Sequence, residues 1–220
     1  TKTATITAVS LADFNASPAT YIPNSNPTSS YNVIVFGFQD CNGSGDGTDQ
    51  LAGGRDLSPN AASSTERFIN AGGGVIFGHD TIWQESGTIC GGSHNNFNRL
   101  AGYAGISLAN YQNTSYNYNN ISKNINQAST PASALMFNKP YIMDDSFVVN
   151  FTHTSGSLPN PSLCSSADGL KIWFHGGDIN TKFWATTCGR VEHIMLGHTG
   201  SINDNEQKAL INMLYYVATH

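Results

Sequence analysis

Charge is what this chain has least of. With 10 basic and 15 acidic side chains in 220 residues, only 11% of positions are charged, under half the usual ~25%, and the formal balance is −5. A basic footprint of the kind that binds nucleic acid is therefore excluded. Long apolar runs are missing too: Val33 to Phe36, among the longest, falls far short of the ~20 residues that a membrane helix needs, so membrane insertion is not expected. The four cysteines contain no Cys-x-x-Cys pair, which argues against a zinc site or a dithiol redox motif.

What replaces charge is neutral polarity. Asparagine alone accounts for 24 residues, nearly as many as all charged residues together, beside abundant Ser, Thr and Gly. This composition suits an extracellular or cell-surface protein. Five sequons begin at Asn15, Asn42, Asn113, Asn120 and Asn150, each an acceptor for a glycan if the loop is exposed and the host glycosylates. An even cysteine count in an exported chain favours two disulfides. Of the three connectivities, Cys41–Cys90 with Cys164–Cys188 is preferred, because each pair lies within one half of the chain.

The hydrophobic content of 39% is enough for one globular domain. Thr3 to Val9 alternates small and β-branched residues without charge, an extended-strand signature. Residues 12–30 carry Pro18, Pro23 and Pro27 and read as a helix-free connection, so residues 1–30 form an arm and 31–220 the α/β domain. The run 31–38 reads as a strand covered on both faces, Ser58-Pro59 as the start of a helix that Gly72 to Gly74 stop, and Val75 to Phe77 as a second buried strand. Strand, helix and strand within this span make a βαβ crossover. A short helix over 96–103, strands at 147–151, 170–174, 182–186 and 191–196, and a closing helix over 205–217 follow, whereas 107–130 reads as loop with an irregular strand.

Three segments carry a resemblance: Tyr31-Asn-Val-Ile-Val-Phe36, Phe68-Ile-Asn-Ala-Gly-Gly-Gly-Val-Ile-Phe-Gly-His79 and Gly189-Arg-Val-Glu-His-Ile-Met-Leu-Gly-His198. Together they resemble the trehalose-utilisation (ThuA-like) branch of the class I glutamine amidotransferase-like superfamily. The resemblance implies a flavodoxin-like, open, mostly parallel sheet with helices on both faces. It also implies that His79 stands where the amidotransferases carry their nucleophilic cysteine. No cysteine here follows such a strand-plus-glycine turn, and Thr199-Gly200 follow His198 where a triad would place its glutamate, so cysteine-dependent glutamine hydrolysis is excluded.

His79, Asp80 and His198 fall after predicted strands, at the edge where open α/β sheets bind ligands, and imidazoles with a carboxylate bind metals or move protons. The plainer reading, turn-stabilising hydrogen bonds, is preferred. Asp40, Asn42, Ser44 and Asp46 place oxygens like the start of a calcium loop, but the twelfth position is Leu51 instead of Glu, so a polar loop is preferred to a calcium site. Asp144-Asp145 reads as a solvated pair and Arg190 as an anchor for a carboxylate or carbonyl. Trp83, Trp173, Trp184, Tyr111, Tyr116 and Tyr118 could stack on sugars but read more simply as core and loop filler.

The function expected is therefore non-catalytic: binding, of glycans among other ligands, or self-assembly in a surface structure or filament. Copies of the chain would join through Thr3, Thr5, Ile6, Thr7 and Val9. Return of that arm to its own sheet is the competing and slightly favoured placement. The alternative from another class is a carbohydrate-active enzyme, metal-assisted through His79 and His198.

Overall fold

The computed structural model describes residues 4–38, 56–84, 94–109, 117–127, 130–154, 156–197 and 201–220. A seven-stranded sheet runs through them, built from β1 (Val33–Phe36), β2 (Gly74–Phe77), β4 (Asn117–Lys123), β5 (Ser146–His153), β7 (Leu170–His175), β8 (Phe183–Cys188) and β9 (Val191–Ile194). Its order is β1-β2-β9-β8-β7-β4-β5, and β3 (Ile106–Leu108) pairs with β6 (Ser157–Pro159) in a separate ribbon. The helices are α1 (Leu11–Ala16), α2 (Pro18–Tyr21), α3 (Pro59–Asn70), α4 (Asn95–Asn98), α5 (Pro131–Asn138) and α6 (Asp204–Thr219).

The expected βαβ unit forms. Ser58 caps α3 by accepting from the Ala61 amide, Pro59 sits in its first turn, and the chain returns so that β2 lies parallel to β1, Val33 opposite Gly74 and Phe36 opposite Phe77. β2 continues parallel to β9. The mostly parallel sheet does not hold, however, because the four remaining pairings, from β9 through β8, β7 and β4 to β5, are antiparallel. The reason is connection length: β8 and β9 are joined by Gly189-Arg190 alone, with Gly189 at φ +58, and so short a turn leaves no room for a crossover.

Two other expectations fail near the N-terminus. Residues 4–10 belong to no strand and lie exposed, so the arm does not return to its own sheet. Without a partner ladder, an alternating segment has nothing to fix it as a strand. The connection 12–30 is not helix-free either. Ser10 caps α1 by accepting from the Asp13 amide, and Pro18 occupies the first turn of α2, where its missing N–H is harmless. Phe14 and Ile22 then anchor both helices in the core, Phe14 packing 5.7 Å from Phe36 between ring centroids.

The core lies on both faces of the sheet. On one, Phe36 stacks on Phe77, Phe97 of α4 meets both edge-on, and Phe14 packs tilted against Phe36. On the other, Gly74 approaches α6 so closely that a Cβ would lie 2.7 Å from the Val217 carbonyl oxygen. Trp83, Trp173 and Trp184 are all buried, which makes them core and not sugar platforms. Tyr118 is buried as well, its hydroxyl donating to the Phe183 carbonyl, while Tyr111 and Tyr116 lie outside the described residues. Among the described residues no helix is long and apolar enough to cross a membrane.

Cys164 and Cys188 form a disulfide with Cα atoms 5.6 Å apart, as preferred from sequence. Cys41 and Cys90 lie outside the described residues.

Candidate functional site

The buried strand β2 ends in Gly78-His79-Asp80, and the turn is tight for steric reasons. A Cβ at Gly78 would lie 2.8 Å from the Phe38 amide nitrogen, and Thr81 closes the turn by donating both its amide and its hydroxyl to the Gly78 carbonyl. Asp80 is held at φ +58, in the left-handed region that is uncommon outside glycine though Asp enters it more readily than most residues. The strain thus falls one residue beyond the position that the resemblance aligns with the amidotransferase cysteine.

His79 and Asp80 are both fully buried, with His79 Nε2 3.2 Å from Asp80 Oδ2. Two residues not anticipated from sequence join them. The His153 ring, at the end of β5, packs edge-on to His79 with centroids 4.9 Å apart, and its Nδ1 donates to the Thr154 carbonyl at 3.1 Å. His193 of β9, opposite Phe77 in register, faces the same side of the sheet. Burial, with His79 nearby, pushes the His193 imidazole down to about 3, against a smaller opposing pull from Asp80. It is therefore neutral, and neither ring nitrogen has a hydrogen-bond partner among the described residues.

His94 lies at the margin of this cluster. Its Nδ1 donates to the Thr81 carbonyl at 3.2 Å, and burial lowers its pKa despite the fields of Asp56 and Asp80. The sheet curls to bring these groups together: β5 is the far edge of the sheet from β1, yet the Thr152 hydroxyl donates to the Met195 carbonyl just beyond β9. Sequence reasoning missed His153 because its proximity to His79 depends on this curl, and His193 because the parallel β2–β9 pairing that sets it beside Phe77 joins strands far apart in the sequence. A local signal existed only for His193, which with Glu192 interrupts the otherwise apolar run from Val191 to Leu196.

Chemically, the arrangement sets the Asp80 carboxyl among imidazoles, of which His193 is held neutral by burial, and such a set is suited to holding or passing a proton in a water-poor setting. Among the described residues no three His, Cys, Asp or Glu side chains are arranged to hold a metal ion. His198 lies outside the described residues, as do Asp40, Asn42, Ser44 and Asp46 of the calcium-like loop.

The remaining predicted residues scatter. Asp145 is solvated, meeting only Lys123 at 3.2 Å, and Arg190 anchors carbonyls, its guanidinium donating to Val217 at 2.6 Å and to Gly72. Of the sequons, Asn15 uses its Nδ2 to donate to the Asp56 carbonyl and its Oδ1 to accept from the Ser58 amide. Asn150 donates to the Ser201 carbonyl at 2.8 Å, whereas Asn120 is exposed on β4. Asn42 and Asn113 lie outside the described residues, as does Thr3, while Thr5, Ile6, Thr7 and Val9 are exposed.

No family model matches the sequence, and no curated protein matches it. Solved structures do. A protein from Bacteroides uniformis described as ThuA-like superposes with a TM-score of 0.52 at 13% identity, covering 87% of this chain and 71% of its own. A second, from Parabacteroides merdae and likewise described as ThuA-like, gives 0.47 at 14% identity over 87% and 72% of the two chains. At 13% identity the first likeness speaks for architecture alone, and the architecture is a ThuA-like fold.

Proposed function

We propose that this chain is an extracellular or cell-surface ThuA-like domain that serves binding or self-assembly in a surface structure or filament, without catalysis. The observation that carries this reading is the N-terminal arm. Residues 4–10 are uncharged and exposed, Ile6 keeps 86% of its surface in contact with solvent, and no strand pairs with them among the described residues. Such a segment gains backbone hydrogen bonds and apolar burial only by joining another sheet. The Cys164–Cys188 bridge supports the oxidising location, since disulfides persist mainly outside the cytosol.

The test is sizing of the native protein beside a truncation lacking residues 1–9, which spares Ser10 as the cap of α1. A polymer that becomes a folded monomer on truncation is the expected result. A wild-type monomer with an unchanged, monomeric truncation refutes the reading.

The second reading, a carbohydrate-active enzyme, draws on the strained Asp80 beside His79, because such backbone strain concentrates at functional sites. Hydrolysis of a glycoside panel that Asp80→Asn abolishes would favour it over assembly.

A further inference from the structure

A sheet with two ends offers an arm two places to dock, and the structure treats those ends differently. β5, eight residues without charge or proline, is the longer edge. Its partner β4 sits Asn120 opposite Val148, and on the outward side the Val148 carbonyl accepts from Asn203 Nδ2 at 3.1 Å and from Asn205 Nδ2 at 3.3 Å. The Asn150 amide donates in turn to the Glu206 carboxylate. The start of α6 thus occupies the hydrogen-bonding positions that another strand would need, a known way of closing an edge.

Among the described residues β1 has no such cover. The Gly74 amide donates to the Asn32 carbonyl and the Gly78 amide to the Phe36 carbonyl, which fixes the even-numbered residues as those bonded to β2. Val33 and Val35 therefore point their N–H and C=O groups away from β2, and no hydrogen bond joins those groups to any described residue. Val35 is 38% exposed. The arm suits this edge in chemistry and length: residues 4–9 are Ala, Thr, Ile, Thr, Ala and Val, and at ~3.3 Å per residue they span about 20 Å, more than the four residues of β1 require. Donor and acceptor are thus open hydrogen-bonding segments of one chain among its described residues.

We propose that the outer edge of β1 on a second copy of this chain is the acceptor of the N-terminal arm, which adds there as a strand alongside Val33 and Val35. This rests on the assembly reading above and names its docking surface. Each copy offers one arm and one edge, so the contact is head-to-tail and propagates.

Val35→Pro tests it, because proline at 35 removes only an outward N–H and leaves the β1–β2 ladder intact. The variant should be folded and monomeric, while Val148→Pro at the closed edge, where Val148 also faces outward, should polymerise like wild type. Mixing Val35→Pro, which keeps its arm, with the truncation lacking residues 1–9, which keeps its edge, should give a 1:1 dimer and nothing larger. Wild-type polymerisation of Val35→Pro would overturn the β1 acceptor while leaving assembly through the arm standing; polymerisation of the truncation would overturn the arm as donor, and a monomeric wild type would overturn assembly itself. Should Val35→Pro not fold, hydrogen exchange decides. The Val33 and Val35 amides are expected to be protected in the wild-type polymer and exchanging in the truncated monomer, and equal exchange in both refutes the proposal.

Discussion

Replacing Glu192 by glutamine should change how stability depends on pH more than it changes stability at any one pH. Glu192 sits in the middle of β9, between Ile76 of β2 and Thr187 of β8, fully buried, and neither carboxyl oxygen has a hydrogen-bond partner among the described residues. Burial raises its pKa well above the usual carboxylate range, so the native state holds it as the neutral acid. In the unfolded chain it ionises near pH 4.5. Its contribution is therefore complete below that pH and declines by about 1.4 kcal/mol per unit as the pH rises, until the native carboxyl ionises too. His193, on the opposite face, has the reverse sign. Lowered from 6.5 to about 3, it contributes fully above pH 6.5 and loses about 1.4 kcal/mol per unit as the pH falls, or about 5 kcal/mol by pH 3. Between about pH 4.5 and 6.5 these two slopes cancel, while His94, lowered by burial, tilts the balance toward higher pH and Glu206, raised by burial, tilts it toward lower pH. The wild type should thus be most stable near pH 6 and lose stability on both sides. Glutamine cannot ionise, so Glu192→Gln should lose the decline above pH 6.5 and keep the acid decline. Urea unfolding midpoints from pH 4 to 8 read this directly. Any cost of burying the amide shifts the whole curve without altering its slope, so equal slopes for variant and wild type between pH 6.5 and 8 would refute the reasoning.

Other predictions are local. Replacing Cys164 and Cys188 together by alanine opens a loop with a sequence separation of 24 and should cost about 3.5 kcal/mol of unfolding free energy, measured by denaturant titration against the oxidised wild type. Glycopeptide mapping of material from a glycosylating host should find Asn120 occupied and Asn15 bare, because the Asn15 amide nitrogen is committed to the Asp56 carbonyl; Asn15→Ala should cost about 1–3 kcal/mol by leaving that carbonyl and the Ser58 amide unpaired. Gly197→Ala places a Cβ 2.4 Å from the Phe38 backbone at φ +110 and should lower the melting temperature far more than Gly72→Ala, which meets nothing within 4 Å and bears only the strain of φ +85, about 1 kcal/mol.

The features legible in the sequence were those whose cause is local. Ser58-Pro59 and Gly72 to Gly74 bracket α3 because capping, the proline φ and glycine freedom act within a few residues. The misread segment 12–30 had such signals as well. Ser10 stands three residues before Asp13, and Pro18 follows Ser17, but three prolines and many polar residues outweighed them. What decided the matter was Phe14 reaching Phe36, a contact no local pattern reveals. Strand direction had the same character. β8 and β9 read as strands from their residues, whereas their antiparallel pairing follows from a two-residue connection whose geometry depends on Gly189.

The candidate site was half legible for the same reason. His79 and Asp80 announce themselves by following a glycine at the end of an apolar strand, but His153, 74 positions further along the chain, becomes their neighbour only through the curl of the sheet, and His193, 114 positions further, only through the pairing of β9 with β2. That curl has two consequences which bear on function together. It seals the imidazoles and Asp80 from solvent, so any reaction there requires a motion that opens the cluster. It also brings β5 against the start of α6, whose Asn203, Asn205 and Glu206 then close that edge. With the β5 edge closed in this way, β1 at the other end of the sheet is the edge that the described residues leave open to a partner.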